Sequence, residues 1–536
     1  MHHLQHITDL GPLFATVGAR HVIVAPGSRN APLIQLFTSD SRYTCHSHVD
    51  ERSAGYVALG MARQLGEPVV VVTTSGTAVL NLSPAIAEAF QQRVPLLVVT
   101  ADRPREILTQ FNNQVTDQRA PYFNYSKGFF EFPAEVRTQA ELEAGIRSVE
   151  QLLREALRFP EGPVHLNLPL TEPLYEQLPG SILPERKDEA EMDEPLSPAV
   201  SFPAIDPAAT RLMILAGMGK KDRRVQEALE QILLHCQSVV VAENISNLLS
   251  GHFISCPELV LSGVSEEERR TITPDVVIAF GLQMVSKRMK LFVQSLGEVR
   301  LTDLPEGTPL TGFLEGIRGS GRTTNSYWRR WKEIEDRETE RAASYLQQAP
   351  FTNLTAVARI LQSAPSHTVI HLGNSATIRN SQLVRARGDL EYYSNRGISG
   401  IDGSLSAAVG AAMVSDRLHL LLMGDLSFVY DSNALWNENF PENLKIVVLN
   451  DGGGGIFRLL DGPDRMAFFE AFSVTHHPVS LELLSGAFGR SFGRAGDFNE
   501  LDRLMGSLFA AGTGLTVLEV DTTTSENSRI FKELFI

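Results

Sequence analysis

Cysteine is scarce in this sequence of 536 residues, which has three copies at Cys45, Cys236 and Cys256. They lie far apart and in no CxxC spacing, so the sequence predicts neither a disulfide framework nor a zinc site. Such cysteine usage favours a reducing, cytoplasmic compartment. No apolar run approaches the roughly 18 residues of a membrane-spanning helix, and the N-terminal segment lacks the pattern of a signal peptide.

An excess of basic residues is also missing, because 48 Lys and Arg stand against 63 Asp and Glu, giving a net charge of -15. Nucleic-acid-binding and membrane-surface proteins usually present a basic face, so we expect neither partner. Small anionic substrates are still compatible, since a few local arginines outweigh a distant acidic surface. The chain is 43% hydrophobic and 21% charged, which is typical of a globular protein, and its length predicts about three domains.

Short runs of consecutive apolar residues alternate with helical stretches along most of the chain. Strands that are apolar throughout and separated by helices indicate parallel sheets covered on both faces. We therefore predict an α/β fold built from three doubly wound parallel-sheet domains. Strands are predicted at 21–24, 69–73, 95–100, 211–216, 238–242, 275–280, 368–372, 419–423, 445–449 and 515–520, with helices at 53–64 and 85–92.

Two polar stretches divide the predicted sheets into blocks. Residues 178–207 are rich in proline and charge and have no apolar periodicity, which is typical of a linker. Residues 319–343 are polar and charged and are predicted to form a helix with a linker. The predicted organisation is a first domain at 1–180, a linker at 181–207, a central domain at 208–345 and a third domain at 346–536.

The most specific local pattern lies in the third block, where one predicted strand ends at Gly424-Asp425 and the next at Asn450-Asp451, followed by four glycines. In open α/β sheets, ligands bind beyond the carboxyl ends of the strands. Glycine lets the backbone approach a phosphate closely, and carboxylates suit Mg²⁺, which bridges to phosphate oxygens. The alternative is two glycine-rich turns whose acids cap helices.

This pair of strand ends resembles the thiamine-diphosphate motif, which runs from GDG or a variant, through about 25 to 27 residues, to NN or a variant. Asp451 lies 26 positions after Asp425, so the resemblance implies Asp425, Asp451 and the carbonyl of Gly453 as metal ligands. Leu426 replaces the usual glycine, and Asp451 replaces the usual asparagine, which adds a negative charge beside a diphosphate. A register shifted to Asn450 is the alternative.

The first block contains a second group of motifs. His48-Val49-Asp50-Glu51 leads into a predicted helix, Thr74-Ser75-Gly76-Thr77-Ala78 follows the next strand, and Ala101-Asp102-Arg103-Pro104 follows the one after. For Glu51 alone, an N-cap or first-turn acid of the helix is the ordinary interpretation.

The motifs taken together resemble the 2-succinyl-5-enolpyruvyl-6-hydroxy-3-cyclohexene-1-carboxylate synthase family of the thiamine-diphosphate-dependent enzymes, which acts in menaquinone biosynthesis. They occur in family order from Pro26 to Phe457, and Leu426 fits this family. The resemblance implies a pyrimidine-binding first domain, a Rossmann-like central domain and a diphosphate-binding third domain. The segments are PGSRNAPL, DERSAGYVALG, TTSGTAVLNLSPA, TADRP, SKR, GNSATIR, SNRGISGIDG, GDLSFVYDSNAL and GGGGIF.

The resemblance also implies an activity. The family removes CO₂ from 2-oxoglutarate and adds the remaining four-carbon unit to isochorismate in a 1,4 sense, as a carboligating transferase. It implies thiamine diphosphate with Mg²⁺ or Mn²⁺ as cofactors, and a homodimer or homotetramer as the assembly. Glu51 matches the glutamate that hydrogen-bonds the aminopyrimidine ring of the cofactor and promotes its activation, and Ile401 matches the apolar residue that holds the cofactor bent.

Both implied substrates are dicarboxylates, and arginine side chains match carboxylates in bidentate fashion. The default interpretation of any single arginine is a solvated surface charge. The cofactor positions implied by the resemblance are Pro26, Glu51, Asn81, Ile401, Gly424, Asp425, Leu426, Ser427, Asp451, Gly453, Gly454, Gly455 and Ile456. The implied substrate positions are Ser28, Arg29, Arg103, Asn113, Gln114, Lys287, Arg288, Ser375, Arg379, Arg396, Ile456 and Phe457.

Three other interpretations predict different behaviour. Another thiamine enzyme, such as an acetohydroxyacid synthase or a 2-oxoacid decarboxylase, would act on pyruvate. A non-catalytic small-molecule sensor would have lost Glu51, which is present. An NAD-dependent oxidoreductase is disfavoured because the Gly217-Met218-Gly219 turn lacks a full GxGxxG and its acidic partner, and we expect no flavin there.

Overall fold

The computed structural model describes residues 2–107, 113–183, 205–296, 300–304, 323–460, 462–510 and 514–535. Within these ranges, no helix combines the length and the apolar character needed to cross a bilayer. The strands are β1 His21–Val24, β2 Thr44–Ser47, β3 Val69–Thr73, β4 Leu96–Asp102, β5 Phe129–Glu131, β6 Val164–Pro169, β7 Leu212–Ala216, β8 Ser238–Ala242, β9 Val276–Phe280, β10 Arg300–Leu304, β11 Val369–Leu372, β12 Glu391–Tyr393, β13 His419–Gly424, β14 Leu444–Asn450, β15 Phe492–Ala495 and β16 Val517–Asp521.

Helices connect these strands and cover the sheets. The helices are α1 Gln5–Thr16, α2 Ala31–Thr38, α3 Glu51–Leu65, α4 Thr77–Asn81, α5 Ser83–Gln92, α6 Gln139–Leu157, α7 Arg223–His235, α8 Pro257–Ser262, α9 Glu266–Ile272, α10 Lys287–Gln294, α11 Ser326–Gln348, α12 Asn353–Ser363, α13 Ala376–Ser381, α14 Ser404–Met413, α15 Asp425–Tyr430, α16 Ile456–Leu459, α17 Leu481–Ala487, α18 Phe498–Leu508 and α19 Asn527–Glu533, and Phe469–Val474 forms a π-helical turn.

The described strands form three parallel sheets, in the orders β2-β1-β3-β4-β6-β5, β10-β9-β7-β8 and β12-β11-β13-β14-β16-β15. The predicted α/β fold of parallel sheets is confirmed. The first and third sheets have the same strand order, because β11 to β16 occupy the same places in the third sheet as β1 to β6 in the first. The carboxyl ends of parallel strands lie along one edge of a sheet, which is where ligand-binding loops are expected.

Burial explains why these strands form where they do. Every residue of β3 is buried, as are the first five residues of β13, because helices cover both faces of the sheet. Large apolar side chains from α1, α2 and α6, such as Phe14, Phe37 and Leu153, pack in one cluster with alternate residues of the first sheet. A second cluster joins the third sheet to α12 and α18.

The chain forms two compact units. The first contains the first sheet together with segments 395–416 and 430–441, and the second contains the other two sheets. Within the first unit, α3 and α14 pack closely, because a side chain at Gly60 would collide with the backbone of Ala407 and one at Gly410 with that of Val57. The predicted linker falls mostly on residues 184–204, outside the described ranges, and the predicted domain boundaries stay predictions.

Candidate active site

Glu51 lies at the carboxyl edge of the first sheet, directly after the loop that follows β2. The N-cap of α3 is Asp50, whose side chain accepts a 3.2 Å hydrogen bond from the Ser53 N–H. Glu51 is therefore the first helical residue and is not needed as the cap. Its carboxylate is half-buried and accepts a hydrogen bond of 3.3 Å from Asn81 Nδ2. The structure thus brings together two predicted cofactor residues from α3 and α4.

A buried polar chain lies below the first turn of α3. His48 Nε2 lies 2.7 Å from Ser53 Oγ, which lies 2.7 Å from Ser406 Oγ. The Ser406 hydroxyl donates to Asp431 Oδ1 at 2.6 Å, and its backbone N–H donates to Asp431 Oδ2 at 2.8 Å. Burial raises the pKa of Asp431 to about 7 and lowers the pKa of His48 to about 4. The chain ties the helix that begins at Glu51 to α14.

Arg103 and Gln114 meet at the ends of β3 and β4. Arg103 Nη1 donates to Ser75 Oγ at 2.8 Å and to the Gln114 carbonyl at 2.9 Å. Gln114 has a φ of 54°, and its neighbour Asn113 is exposed. Burial and the positive charge of Arg29 lower the pKa of Arg103. This edge of the sheet therefore holds a cationic group whose geometry is fixed by its neighbours.

Arg29 follows β1 and is 8% exposed. Its Nη1 donates to the Leu170 carbonyl at 3.1 Å, and its Nη2 to Glu172 Oε1 at 3.4 Å. Pro26 and Ser28, the other predicted residues of this loop, are exposed. They are open to a ligand, whereas the Arg29 guanidinium is engaged with the loop after β6.

Arg396 and Ile401 lie in the segment between β12 and α14, which belongs to the first compact unit. Asn395 Nδ2 donates to the Gly403 carbonyl at 3.0 Å and closes this segment into a loop. Arg396 is buried at 8% exposure, and Ile401 is half-buried. The hydrogen bond thus joins the two ends of the loop that contains Arg396 and Ile401.

Asp425 and Asp451 lie close together at the ends of the adjacent strands β13 and β14 of the second unit. Burial raises the pKa of Asp425, and burial together with the charge of Asp425 raises the pKa of Asp451 to about 7. The backbone N–H groups of Gly453 and Gly455 act in the opposite direction and lower the pKa values of Asp425 and Asp451, respectively. Two shielded carboxylates that repel each other are a donor set that fits a divalent cation.

Glycine is required in the loop that follows these carboxylates. Gly453 has a φ of 147°, and a side chain at Gly455 would collide with the Asp451 carboxylate. The Gly453 carbonyl accepts the Gly455 N–H at 3.0 Å. Backbone this close to the carboxylates fits a loop that holds a phosphate and its metal. Ile456 is half-buried and Phe457 is 38% exposed, at the start of α16.

The side chain of Asn450, the alternative metal ligand, is engaged away from the carboxylate pair. Its Nδ2 donates to Glu519 Oε1 at 2.6 Å, and its Oδ1 accepts the Gly452 N–H at 3.0 Å. Both ends of the amide therefore stabilise the strand end and the turn. This arrangement supports the register that uses Asp451.

The remaining predicted residues of the second unit lie in or next to three of its helices. Ser375 is the N-cap of α13 with a φ of 76°, and Arg379 lies in the last turn of that helix. Arg288 stacks over the Phe535 ring at 4.8 Å and pairs with Glu258 at 3.3 Å. Lys287 is exposed. Gly424 and Leu426 are half-buried and Ser427 is buried, around Asp425.

The structure adds two contacts to these carboxylates that the sequence did not predict. His477 Nε2 lies 3.2 Å from Asp425 Oδ2, and Asn353 Nδ2 donates to Asp451 Oδ2 at 3.2 Å. Their partners lie 52 and 98 residues away in sequence, and no local motif marks either residue. Only the folded third sheet brings them to the carboxylates.

The chain matches two family models and is similar to several named proteins. Residues 13–120 match the family model "Thiamine pyrophosphate enzyme, N-terminal TPP binding domain", and residues 373–520 match the corresponding C-terminal TPP binding domain. A 2-succinyl-5-enolpyruvyl-6-hydroxy-3-cyclohexene-1-carboxylate synthase from Desulfotalea psychrophila is 39% identical over 96% of this chain and 98% of its own length. Proteins with the same name from Flavobacterium johnsoniae and Porphyromonas gingivalis are each 33% identical, over 97% and 99% of this chain and 96% of their own lengths.

Proposed function

This chain belongs to the 2-succinyl-5-enolpyruvyl-6-hydroxy-3-cyclohexene-1-carboxylate synthase family of thiamine pyrophosphate enzymes, and on that premise we propose that it makes this product in menaquinone biosynthesis. The enzyme releases C1 of 2-oxoglutarate as CO₂. It then joins the remaining succinyl semialdehyde unit to isochorismate by 1,4-addition. It is a transferase that forms a carbon–carbon bond.

The observation that carries this proposal is the carboxylate pair of Asp425 and Asp451 beside a glycine-rich loop. We propose that both carboxylates and the Gly453 carbonyl hold Mg²⁺ or Mn²⁺, and that the loop from Gly453 to Ile456 holds the diphosphate. A divalent cation would stabilise the ionised form of Asp451, whose pKa is raised by burial and by the charge of Asp425. Gly424, Leu426 and Ser427 line the same strand end.

Thiamine diphosphate, when bound, supplies a carbon nucleophile that attacks the keto group of a 2-oxoacid. We assign Glu51 to the protonation of the aminopyrimidine ring, because its carboxylate is half-buried and oriented by Asn81. A carboxyl group in this position exchanges a proton with a ring nitrogen at hydrogen-bond distance. Pro26, Asn81 and Ile401 are assigned to the cofactor through the family motif.

The two dicarboxylate substrates require cations, and the first unit offers Arg29, Arg103 and Arg396. The second unit offers Lys287, Arg288 and Arg379. Arginine forms two parallel hydrogen bonds with a carboxylate, which fixes the substrate's orientation as well as its charge. We assign Ser28, Asn113, Gln114 and Ser375 to polar contacts, and Ile456 and Phe457 to the apolar contact with the substrate.

We also propose that the enzyme is a homodimer or homotetramer in the cytoplasm. Apolar side chains of the first unit are exposed in the single chain, including Val49, Leu80, Tyr430 and Trp436 at 45–54%. Clusters of exposed apolar residues are typical of surfaces that a partner covers. The three cysteines are free thiols, which fits a reducing compartment.

The test combines the purified protein with thiamine diphosphate, Mg²⁺, 2-oxoglutarate and isochorismate, and follows CO₂ release and isochorismate loss. We expect both to occur together, and we expect negligible reaction with pyruvate as the only 2-oxoacid. Efficient formation of acetolactate from pyruvate would instead identify an acetohydroxyacid synthase. A reaction that consumes NAD would overturn the proposal as well.

A further inference from the structure

Glu88 is a buried carboxylate whose two oxygens hold the loop that contains Arg396. It lies on α5 and is 1% exposed. Its Oε1 accepts the Gly397 N–H at 2.6 Å, and its Oε2 accepts the Ile398 N–H at 2.6 Å. These two N–H groups follow Arg396 directly in the chain. The carboxylate therefore holds the backbone that directly follows the arginine.

The loop is fitted to this carboxylate by a glycine. A Cβ at Gly397 would lie 2.8 Å from Gln91 Cβ and 3.0 Å from the Glu88 carbonyl oxygen. The far end of the loop is held separately, because the Tyr56 hydroxyl donates to Asp402 Oδ2 at 3.2 Å. Glu88 thus determines the position of the Arg396 end of the loop.

Glu243 forms the same arrangement in the other compact unit. It follows β8, is 1% exposed, and accepts the Val285 N–H at 2.6 Å on Oε2 and the Ser286 N–H at 2.7 Å on Oε1. Lys287 and Arg288 are the next two residues. Ser286 is also the N-cap of α10, with its Oγ accepting the Met289 N–H at 3.0 Å. Glu243 therefore fixes the start of the helix that presents Arg288.

Both sites use the two oxygens of a carboxylate. Each of two successive N–H groups donates to a different oxygen, and glutamine would replace one of these oxygens with an NH₂ donor that faces an N–H group. Burial of a carboxylate is unfavourable and raises the pKa of Glu243 to about 6, while the two N–H donors favour the ionised form. Because burial of a carboxylate is unfavourable, Glu88 and Glu243 are expected to have a role other than packing in the core.

We propose that Glu88 and Glu243 are positioning residues for substrate recognition, acting through Arg396 and Arg288 respectively. Each carboxylate holds the backbone next to its arginine, so that the arginine side chain extends from a fixed point when it binds a carboxylate of the substrate. Neither glutamate touches the substrate itself. This inference rests on the proposed function, which assigns the two arginines to the dicarboxylate substrates.

Double-mutant cycles on the thiamine-diphosphate and Mg²⁺ holoenzyme test the proposal. Glu88→Gln is combined with Arg396→Ala, and Glu243→Gln with Arg288→Ala, and KM and kcat are measured for 2-oxoglutarate and isochorismate. Glu88→Gln is expected to raise KM about tenfold, the equivalent of about 1.4 kcal/mol, for the same substrate as Arg396→Ala. In the Arg396→Ala background it should add little, because the group through which it acts is gone. Glu243→Gln and Arg288→Ala should behave in the same way.

Two control variants remove buried carboxylates that do not adjoin a predicted substrate residue. Asp9→Asn lies in the first unit, where Asp9 accepts the Ile182 N–H, and Glu338→Gln lies on α11, where Glu338 pairs with Arg337 and Arg341. Both should lower the thermal midpoint without changing KM. They therefore separate positioning from a general loss of stability.

The outcomes distinguish this proposal from the function on which it rests. Absence of turnover in the wild-type enzyme would overturn the proposed function. Turnover in the wild type with KM effects that add fully in both cycles would overturn the positioning roles alone. Control variants that raise KM as much as Glu88→Gln and Glu243→Gln would also overturn them.

Discussion

Asn81 Nδ2 donates a hydrogen bond of 3.3 Å to Glu51 Oε2. The amide belongs to the helix after β3 and the carboxylate to the helix after β2, so the contact joins two loops at one edge of the first sheet. Because Asp50 already caps α3, the Glu51 carboxylate is available to a ligand. The contact fixes one oxygen of the residue to which we assign proton transfer.

Glu51→Gln is expected to lower kcat by a factor of about 100 or more, since positioned acid–base groups contribute about this much. The fold and cofactor binding should persist, because the side chain is half-buried and its replacement has the same shape. Steady-state kinetics and cofactor titration provide the measurement. Glu67→Gln, at an exposed glutamate after the same helix, serves as the control, and near-normal turnover in Glu51→Gln would refute the assigned role.

Asp451→Asn is expected to retain or tighten the binding of thiamine diphosphate with Mg²⁺, because an amide oxygen still coordinates the metal while one negative charge beside the diphosphate is removed. Asp451→Ala should lose metal binding. Isothermal titration with Mn²⁺ and the cofactor measures both variants. If Asn450→Ala abolishes metal binding and Asp451→Ala does not, the ligand is Asn450.

Gly455→Ala is expected to abolish cofactor binding, since the new methyl group would collide with the Asp451 carboxylate and displace it. The metal site would then lose its geometry while the sheet persists. Gly506→Ala is the matched control, because a Cβ at that helical position meets no atom within 4 Å. Equal cofactor affinity in the two variants would contradict the assignment of the loop.

The buried carboxyl of Asp431 predicts a pH dependence of stability. Its pKa rises from the ordinary 3.8 to about 7 in the folded protein, so the folded state binds the proton more tightly than the unfolded state. Its contribution to stability is complete below pH 4 and is lost as the pH rises through 7.

Asp431→Asn removes this dependence while keeping the shape of the side chain. Between pH 5 and pH 8, the unfolding free energy of the wild type should therefore fall by about 1 kcal/mol or more relative to that of the variant. Each pKa unit corresponds to about 1.4 kcal/mol. Urea unfolding at the two pH values measures the difference. A difference that does not change with pH would show that Asp431 does not titrate in this range.

Sequence patterns predicted the strands well where burial is complete. The predicted strands at 21–24, 69–73 and 238–242 coincide with β1, β3 and β8, because runs of valine and isoleucine suit a strand covered on both faces. The short edge strand β2 was not predicted. Its residues Thr44–Ser47 are exposed or half-buried, so they lack the run of apolar residues that indicates a buried strand.

The sequence does not indicate which distant segments of the chain come into contact. Segment 395–416 belongs to the first compact unit through glycine contacts between α3 and α14, and small residues leave no periodic signal. The shared strand order of the first and third sheets was also not visible as a repeat. Glu88 and Glu243 are ordinary glutamates in the sequence, and their role depends on backbone N–H groups 309 and 42 residues away.

The proposed reaction is tested by the mass of the product formed from isochorismate and 2-oxoglutarate labelled with ¹³C at either C1 or C5. We predict an adduct of isochorismate plus one succinyl semialdehyde unit, with the C5 label retained and the C1 label released as CO₂. An adduct that retains the C1 label would contradict this reaction. Release of labelled CO₂ with no adduct would contradict it as well, because the carbon–carbon bond to isochorismate would not have formed.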